Sequence, residues 1–220
     1  TPLQYKDFAV FYRTNAQSRV MEDRLMRDGI PYTIVGGMRF YDRAEIKDIL
    51  AYLKVIANPA DSIGLKRIIN VPHRGIGDAT VEKVEVYAAG RGITLYEAIG
   101  EVVSGQWSVA SESLSKGPKL KLKSFYEMME RLRKEAERAG IARLAQMILD
   151  ETGYIKKLKE EKTEDALGRI ENLEEFITAA EEFDEKAEEK TLRSFLDQVA
   201  LVSDLDEYEG ATDRVTLMTL

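Results

Sequence analysis

VPHRGIGD, residues 71–78, separates two segments whose apolar residues recur at helical spacing. The upstream segment covers residues 62–70, and the downstream segment covers residues 79–89. The two glycines can adopt positive φ, and the isoleucine between them can pack between the two helices. The pattern predicts a helix-hairpin-helix-like unit, whose turn at residues 75–77 we call the GIG corner.

The GIG corner has the chemistry of a turn that binds phosphate. The helix after it presents N–H groups without intrahelical partners, together with the positive end of its dipole. Pro72 stiffens the chain before the turn, and Arg74 places a positive charge beside it. A DNA phosphate fits such a site without a base-specific contact. A plain tight turn is the alternative, because Gly-x-Gly before a helix is common.

The composition excludes several classes of catalytic site. The chain has 220 residues, 44% of them apolar, which is enough for a substantial core. It contains no cysteine, so a disulfide framework and a thiolate metal site are excluded. His73 is the only histidine, which argues against a histidine-built metal centre and a Ser-His-Asp triad. Hydrolysis by these routes is therefore not expected, and no metal site is expected in this segment.

Charge and hydropathy favour a cytoplasmic protein with one half suited to DNA. No apolar run of about 18 residues and no signal-peptide pattern is present, so no membrane span is expected. The net charge is −7, but residues 1–100 sum to +2 and residues 101–220 to −9. The first half can therefore meet DNA, with acidic helices facing away from the duplex or towards a protein partner. Residues 181–190 are typical of a solvated helix end.

The start of the chain alternates strands and helices. Residues 8–12 (FAVFY) predict a strand buried on both faces, and residues 32–35 predict a second strand. A helix between them begins near Gln17, and Asp28-Gly29 is expected to end it with a left-handed cap. The apolar side of that helix is predicted to comprise Val20, Met21, Leu25 and Met26.

A second helix is predicted to run to about Ala57, opened by a capping box between Asp42 and Glu45. The pattern is then almost entirely helical until residues 214–220 predict one more strand. This order predicts an α/β fold with a partial parallel sheet and a large all-α inserted domain. The sheet is expected to be incomplete in this segment. The predicted divisions are residues 1–57, 58–210 and 211–220, with hinges at Asn58-Pro59 and Gly210.

Five stretches carry a resemblance to a known family. They are residues 12–19 (YRTNAQSR), 36–48 (GGMRFYDRAEIKD), 58–61 (NPAD), 71–77 (VPHRGIG) and 169–176 (RIENLEEF). In this order they resemble the superfamily 1 DNA helicases of the PcrA, UvrD and Rep type, and are closest to the PcrA branch of Gram-positive bacteria. The resemblance implies a segment of an ATP-dependent enzyme that unwinds duplex DNA from 3′ to 5′ in repair and replication.

By this resemblance, residues 1–57 and 211–220 belong to the second RecA-like motor domain (2A), and residues 58–210 form the accessory domain (2B). The family's Gly-Lys-Thr/Ser loop, its Asp-Glu metal motif and its arginine finger are absent from this sequence. ATP and Mg²⁺ are therefore expected to bind mainly to the remaining helicase domains. This segment alone is not expected to hydrolyse ATP.

The resemblance also implies two groups of residues that contact DNA without reading its sequence. The single strand is expected to contact Arg13, Thr14, Asn15 and Arg39. The duplex is expected to contact Arg74, Gly75, Ile76, Gly77 and Thr80, the last by donating its hydroxyl to a phosphate.

Several side chains have a structural alternative. Arg13 and Arg19 are also typical of packing arginines, and Arg43 either pairs with a neighbouring carboxylate or contacts DNA. His73 either joins the phosphate site or makes a structural hydrogen bond. Residues 116–123 (KGPKLKLK) form either a basic loop on DNA or a solvated linker. Trp107 is expected to be partly buried rather than stacked on a base.

Two non-enzymatic functions remain as alternatives to a helicase segment. The first is a stand-alone duplex-DNA-binding module that uses only the GIG corner. The second is a helical module whose acidic surface docks repair or transcription proteins, with DNA contact secondary. A salt series separates the second from the others, because binding to phosphates weakens as salt rises.

Overall fold

A computed structural model describes residues 2–107, 114–204 and 213–219. The chain divides into two compact units. Unit 1 comprises Thr1–Lys47 and Leu158–Leu220, and unit 2 comprises Asp48–Lys157. These divisions lie at other positions than the predicted domain boundaries, and the assignment of the segments to helicase domains stays a prediction.

The described residues form ten α-helices and three strands. The strands are β1 (Ala9–Tyr12), β2 (Tyr32–Val35) and β3 (Val215–Thr219). The first five helices are α1 (Ser18–Arg27), α2 (Ala44–Ala57), α3 (Ser62–Ile68), α4 (Asp78–Arg91) and α5 (Leu95–Ser104). The other five are α6 (Lys116–Ala136), α7 (Ile141–Thr152), α8 (Tyr154–Glu161), α9 (Glu164–Lys186) and α10 (Leu192–Asp204). Among these described residues, no helix is both long and apolar enough to cross a membrane.

Unit 1 contains a parallel sheet in the order β1-β3-β2. This confirms the three predicted strands and their parallel arrangement. Tyr12, Tyr32 and Leu217 form its core with Val215. The expectation that residues 8–12 are buried on both faces is wrong for this chain, because Phe11 is 55% exposed. Successive strand residues point to opposite faces, so the face opposite Tyr12 is the open one.

The predicted apolar side of α1 is confirmed at Leu25 and Met26, which pack against the core of the sheet, and is wrong at Val20 and Met21. Val20 and Met21 are exposed, whereas Ser18, Arg19 and Glu22 are buried. Periodicity of apolar residues could not reveal this, because the polar side chains are buried with partners from distant segments. The predicted end of α1 is confirmed: Gly29 has φ +66. Its N–H bonds the Met26 carbonyl at 2.9 Å, and the Ile30 N–H bonds the Leu25 carbonyl at 2.8 Å, which makes a Schellman motif.

The predicted capping box of α2 is wrong. Asp42 lies in a preceding 3-10 turn, Phe40–Asp42, and pairs with Arg39 and Lys47. The helix begins at Ala44, and Arg43 immediately before it accepts the Lys47 N–H at 2.9 Å. Glu45 is turned into the protein, where its carboxylate accepts a hydrogen bond from the Asn172 amide at 2.6 Å.

The remaining helices of unit 1 agree with their patterns. The predicted apolar face of α9 is confirmed at Ile170, Leu173, Phe176 and Phe183, which are all buried. Thr191 caps α10 as predicted, because its hydroxyl accepts the Ser194 N–H at 3.1 Å.

All strands and helices assigned in the described residues 48–107 and 114–157 of unit 2 are α-helices. Helices α4, α5, α6 and α7 pack in succession around buried side chains that include Val84, Ile99, Leu122, Leu132 and Ile148. Residues 116–123 open α6, so they are neither a basic loop nor a linker. Pro118 is tolerated there because the first turn of a helix has no intrahelical acceptor for that N–H. Residues 108–113 lie outside the described part of the chain.

Candidate nucleic-acid interface

The GIG corner connects α3 to α4 in unit 2. Gly75 has φ +76, a conformation that favours glycine. Gly77 has φ −84 and is the N-cap of α4, so only one of the two glycines uses its special freedom. Ile76 is 1% exposed, which confirms that it packs into the protein. The Val71-Pro72 peptide bond before the corner is cis.

Asn70 holds the corner in shape. Its side-chain oxygen accepts hydrogen bonds from the N–H groups of Arg74 at 3.0 Å and Ile76 at 3.1 Å. The sequence analysis did not single out this residue. An asparagine just before a Val-Pro turn was the available signal, because asparagine side chains commonly bond backbone N–H groups in turns.

The start of α4 keeps N–H groups available for an anion. No acceptor within the described residues bonds the N–H of Gly77, Asp78 or Ala79, and all three residues are exposed. The Thr80 N–H is bonded to the Gly77 carbonyl at 2.8 Å, but its hydroxyl has no partner among the described residues. The positive end of the α4 dipole adds to this site. The carboxylate of Asp78 opposes an anion there.

The Arg74 side chain is occupied by contacts with other residues of unit 2. Its guanidinium donates to the Val71 carbonyl at 2.7 Å and to the Tyr52 hydroxyl, and lies 5.1 Å from the centre of the Phe125 ring. Burial raises the pKa of Tyr52 to about 12. The predicted phosphate contact of Arg74 would require these bonds to break. In this structure Arg74 fixes the chain before the corner.

His73 and Trp107 are resolved by the structure as well. His73 is exposed, and no hydrogen bond from its side chain is found within the described residues, so the alternative of a structural hydrogen bond is not observed there. Trp107 is half-buried and stacks on Tyr87, with ring centroids 4.8 Å apart. The expected partial burial of Trp107 is confirmed.

The candidate single-strand residues lie at one edge of the sheet in unit 1. Arg13, Thr14 and Asn15 follow β1, and Arg39 lies beyond the end of β2. A Cβ built on Gly37, after β2, would lie 3.6 Å from the Asn15 side-chain oxygen, so the two loops adjoin. Ligands of open α/β sheets bind at this carboxyl edge.

The backbone at this edge is held by Gln17. Its side-chain oxygen accepts from the N–H groups of Arg13 at 3.0 Å and Thr14 at 3.3 Å. The side chains of Arg13 and Asn15 are exposed, whereas Arg39 forms an ion pair with Asp42 at 3.1 Å. Arg13 and Asn15 are therefore the side chains best placed for a ligand.

Other motif residues pack against one another instead. Arg19 is buried and pairs with Asp23 at 2.9 Å, Glu175 at 2.6 Å and Glu182 at 3.4 Å, which is the packing alternative. Burial raises the pKa of Asp23 to about 6, and the positive charge of Arg19 only partly opposes this.

Arg43 occupies a second buried polar network in unit 1. It donates to the Asn172 side-chain oxygen and to the Ser18 hydroxyl, both at 2.7 Å. Asn172 in turn donates to Glu45, so it bridges a cation and an anion. Burial lowers the pKa of Arg43. These residues join α9 to α1 and α2, which is a structural role and not a DNA contact.

The family of the chain follows from a comparison over its full length. A family model described as the UvrD-like helicase C-terminal domain matches residues 2–220. The chain belongs to this family. The match confirms the resemblance carried by the five sequence stretches.

Three similar proteins are named as DNA helicases. The ATP-dependent DNA helicase PcrA of Bacillus subtilis strain 168 is 44% identical over an alignment of 221 positions. The alignment covers 97% of this chain and 29% of the relative. The ATP-dependent DNA helicase PcrA of Staphylococcus epidermidis strain ATCC 12228 is 44% identical over 219 residues, covering 99% of this chain and 29% of the relative. That of Staphylococcus aureus strain NCTC 8325 is 43% identical over 221 residues, with the same two shares. The chain thus spans about 29% of the length of these curated relatives.

Proposed function

We propose that this chain is part of an ATP-dependent 3′ to 5′ DNA helicase of the cytoplasm. The chain would contribute contacts with the single strand along which the enzyme moves and with the duplex. The observation that carries the proposal is the family match across residues 2–220, together with 44% identity to a protein named as a DNA helicase. The remaining helicase domains would supply the ATPase.

ATP and Mg²⁺ would bind outside this segment. The sequence has no Gly-Lys-Thr/Ser loop to hold the phosphates of ATP. Among the residues that the structure describes, no group of three His, Cys, Asp or Glu side chains could hold a metal ion. ATP and Mg²⁺ would therefore bind to the rest of the helicase, and no catalytic step is assigned to this chain.

The single strand would bind along the carboxyl edge of the sheet. Arg13 can pair with a phosphate, and the Asn15 amide can bond a phosphate or a sugar, because both side chains are exposed there. Thr14 and Arg39 flank them on the two adjoining loops. None of these groups needs to read a base, which suits an enzyme that moves along any sequence.

The duplex would bind at the GIG corner. A phosphate would accept hydrogen bonds from the Thr80 hydroxyl and from the N–H groups of Gly77 and Asp78, which no acceptor among the described residues bonds. Gly75 and Ile76 would act by shape, since one supplies the positive-φ turn and the other anchors it. Arg74 would support the corner from within.

The test is duplex binding by the 220-residue chain, measured by fluorescence anisotropy with a duplex of about 20 base pairs over a salt series. We expect Gly75→Ala with Gly77→Ala to weaken binding at least about tenfold, because the positive-φ turn is strained by a Cβ. Gly90→Ala in the same helix, α4, is the matched control, since its added Cβ has open space. Equal affinity of the corner variant and the control, with helix content retained, would refute duplex binding at the corner.

A further inference from the structure

The first helical turns of α6 bring a lysine onto the GIG corner. Lys121 donates from its ammonium group to the Gly75 carbonyl at 3.0 Å. An ammonium group has three donors, so this bond leaves two for another acceptor. No carboxylate within the described residues lies within 4.0 Å of Lys121.

Lys121 lines a cavity of about 420 Å³ beside the corner. One wall is a single face of α6, because Lys121, Phe125 and Met128 follow one another at spacings of four and three residues. The facing wall includes His73 and Arg74, which lead into the corner. The cavity therefore opens next to Gly75, on the α6 side of the turn.

The charge of this cavity is positive. Arg131 is neutralised by Glu151 at 2.8 Å, whereas Arg74 and Lys121 have no carboxylate partner among the described residues. Unit 2 as a whole has 17 lysines and arginines against 14 aspartates and glutamates, a formal charge of +3 in a chain of −7. An anion is the ligand that such a place favours.

We propose that Lys121 forms a second phosphate contact for duplex DNA, on the α6 side of the GIG corner. The inference rests on the proposed duplex binding at the corner. One phosphate lies at the start of α4, and the neighbouring phosphate of the same backbone lies at the mouth of the cavity. The Lys121 ammonium bonds it while keeping the Gly75 carbonyl, whose partial negative charge would otherwise face the phosphate.

The chain offers a matched control on the same helix. Successive helix residues turn by about 100°, so Lys119 lies on the side of α6 opposite Lys121. Lys119 does not line the cavity and has no carboxylate within 4.0 Å among the described residues. Lys119→Gln and Lys121→Gln therefore remove the same charge from two faces of one helix.

The experiment measures duplex affinity of the 220-residue chain across a salt series. We expect Lys121→Gln to weaken binding about fivefold at low salt and to reduce the slope of log affinity against log salt by about 1, since one phosphate contact is lost. Lys121→Arg should keep both affinity and slope. Lys119→Gln should match the unchanged chain.

Two outcomes would overturn the second contact. If Lys121→Gln and Lys119→Gln have equal effects, only the diffuse charge of α6 acts on DNA. If Lys121→Gln weakens binding with an unchanged salt slope, the lysine only positions the Gly75 carbonyl.

Thr80→Val separates this inference from the proposed function, because Thr80 lies on α4 and does not line the Lys121 cavity. If Thr80→Val weakens duplex binding and Lys121→Gln does not, the corner remains a duplex site and only the second contact is contradicted. Normal binding by Lys121→Gln and Thr80→Val, together with equal affinity of the corner variant and Gly90→Ala, would contradict both the second contact and duplex binding at the corner.

Discussion

At the scale of single residues, a few side chains act on the backbone and not on a ligand. Asn70 accepts two N–H groups of the turn with one oxygen, and Gln17 does the same for Arg13 and Thr14. An amide side chain at such a place replaces a backbone partner that the turn cannot reach. The groups expected to bind DNA thus depend on neighbours that would not touch it.

The role of Asn70 is tested by Asn70→Ala. We expect the free energy of unfolding to fall by about 1–3 kcal/mol, because two partly buried N–H groups lose their acceptor. Duplex binding should also weaken, since the corner loses its shape. Denaturant unfolding and anisotropy measure the two effects.

Asn58→Ala is the control for that substitution, because Asn58 also caps a turn N–H, that of Ala60 at 3.1 Å, away from the corner. Asn70→Asp keeps an acceptor oxygen and should retain the free energy of unfolding of the unchanged chain. Wild-type duplex affinity in Asn70→Ala would show that the corner does not depend on this side chain.

At the scale of elements, α9 packs against the other helices of unit 1 through polar side chains as well as apolar ones. The side chains of Ile170, Leu173 and Phe176 on α9 are buried. Asn172 of the same helix is also buried, and it is hydrogen-bonded to both Arg43 and Glu45. Both partners of Asn172 are buried charges, which are costly when left unpaired. The polar bridge therefore sets the register of α9 against α1 and α2.

Asn172→Leu tests this bridge. We expect the free energy of unfolding to fall by about 3 kcal/mol or more, because Arg43 and Glu45 each lose a buried hydrogen bond while the leucine adds no partner. Denaturant unfolding followed by circular dichroism measures the change. Glu171→Gln, at an exposed position of the same helix, should stay within about 0.5 kcal/mol of the unchanged chain. A loss no larger than that of the control would show that α9 is held by its apolar face alone.

At the scale of the whole molecule, charge is distributed unequally between the two units. The formal net charge is +3 in unit 2 and −10 in unit 1, which together give the −7 of the whole chain. Within unit 1, Glu22 is buried and Asp23 is partly buried, and this burial raises the pKa of both carboxyl groups. The stability of the chain is therefore expected to depend on pH through these groups.

The pH dependence is expected to have a defined sign. A carboxyl group with a raised pKa in the folded state binds its proton more tightly when folded, so its contribution to stability falls as pH rises from about 4 to 6. For Asp23, with a folded pKa of about 6 against 3.8, the change is at most about 3 kcal/mol.

Asp23→Asn removes this titration, while Arg19 keeps Glu175 and Glu182 as partners. The difference in unfolding free energy between Asp23→Asn and the unchanged chain should therefore shift in favour of the variant between pH 4 and pH 7. Urea unfolding at both pH values measures it. A difference that stays constant across this range, or shifts the other way, would contradict a raised pKa of Asp23.

Much of the local structure was predictable from the sequence. The three strands, the left-handed cap at Gly29, the N-cap at Thr191 and the apolar face of α9 agree with their patterns. Each depends on residues within one or two turns of chain, where backbone sterics and local hydrogen bonds decide the outcome. The family was predictable for another reason. Its five motifs are stretches of amino-acid sequence, so they can be found without a structure.

Tertiary structure alone decided which polar groups are buried and what they contact. Arg19 and Glu22 are buried where the pattern favoured Val20 and Met21, and Lys121 reaches Gly75 across 46 positions of chain. Such pairings leave no periodic signal, since the free energy of a buried charge depends on partners brought together only by the fold. The sequence by itself thus determined the elements and the family, and the packing of those elements determined the surroundings of each candidate DNA contact.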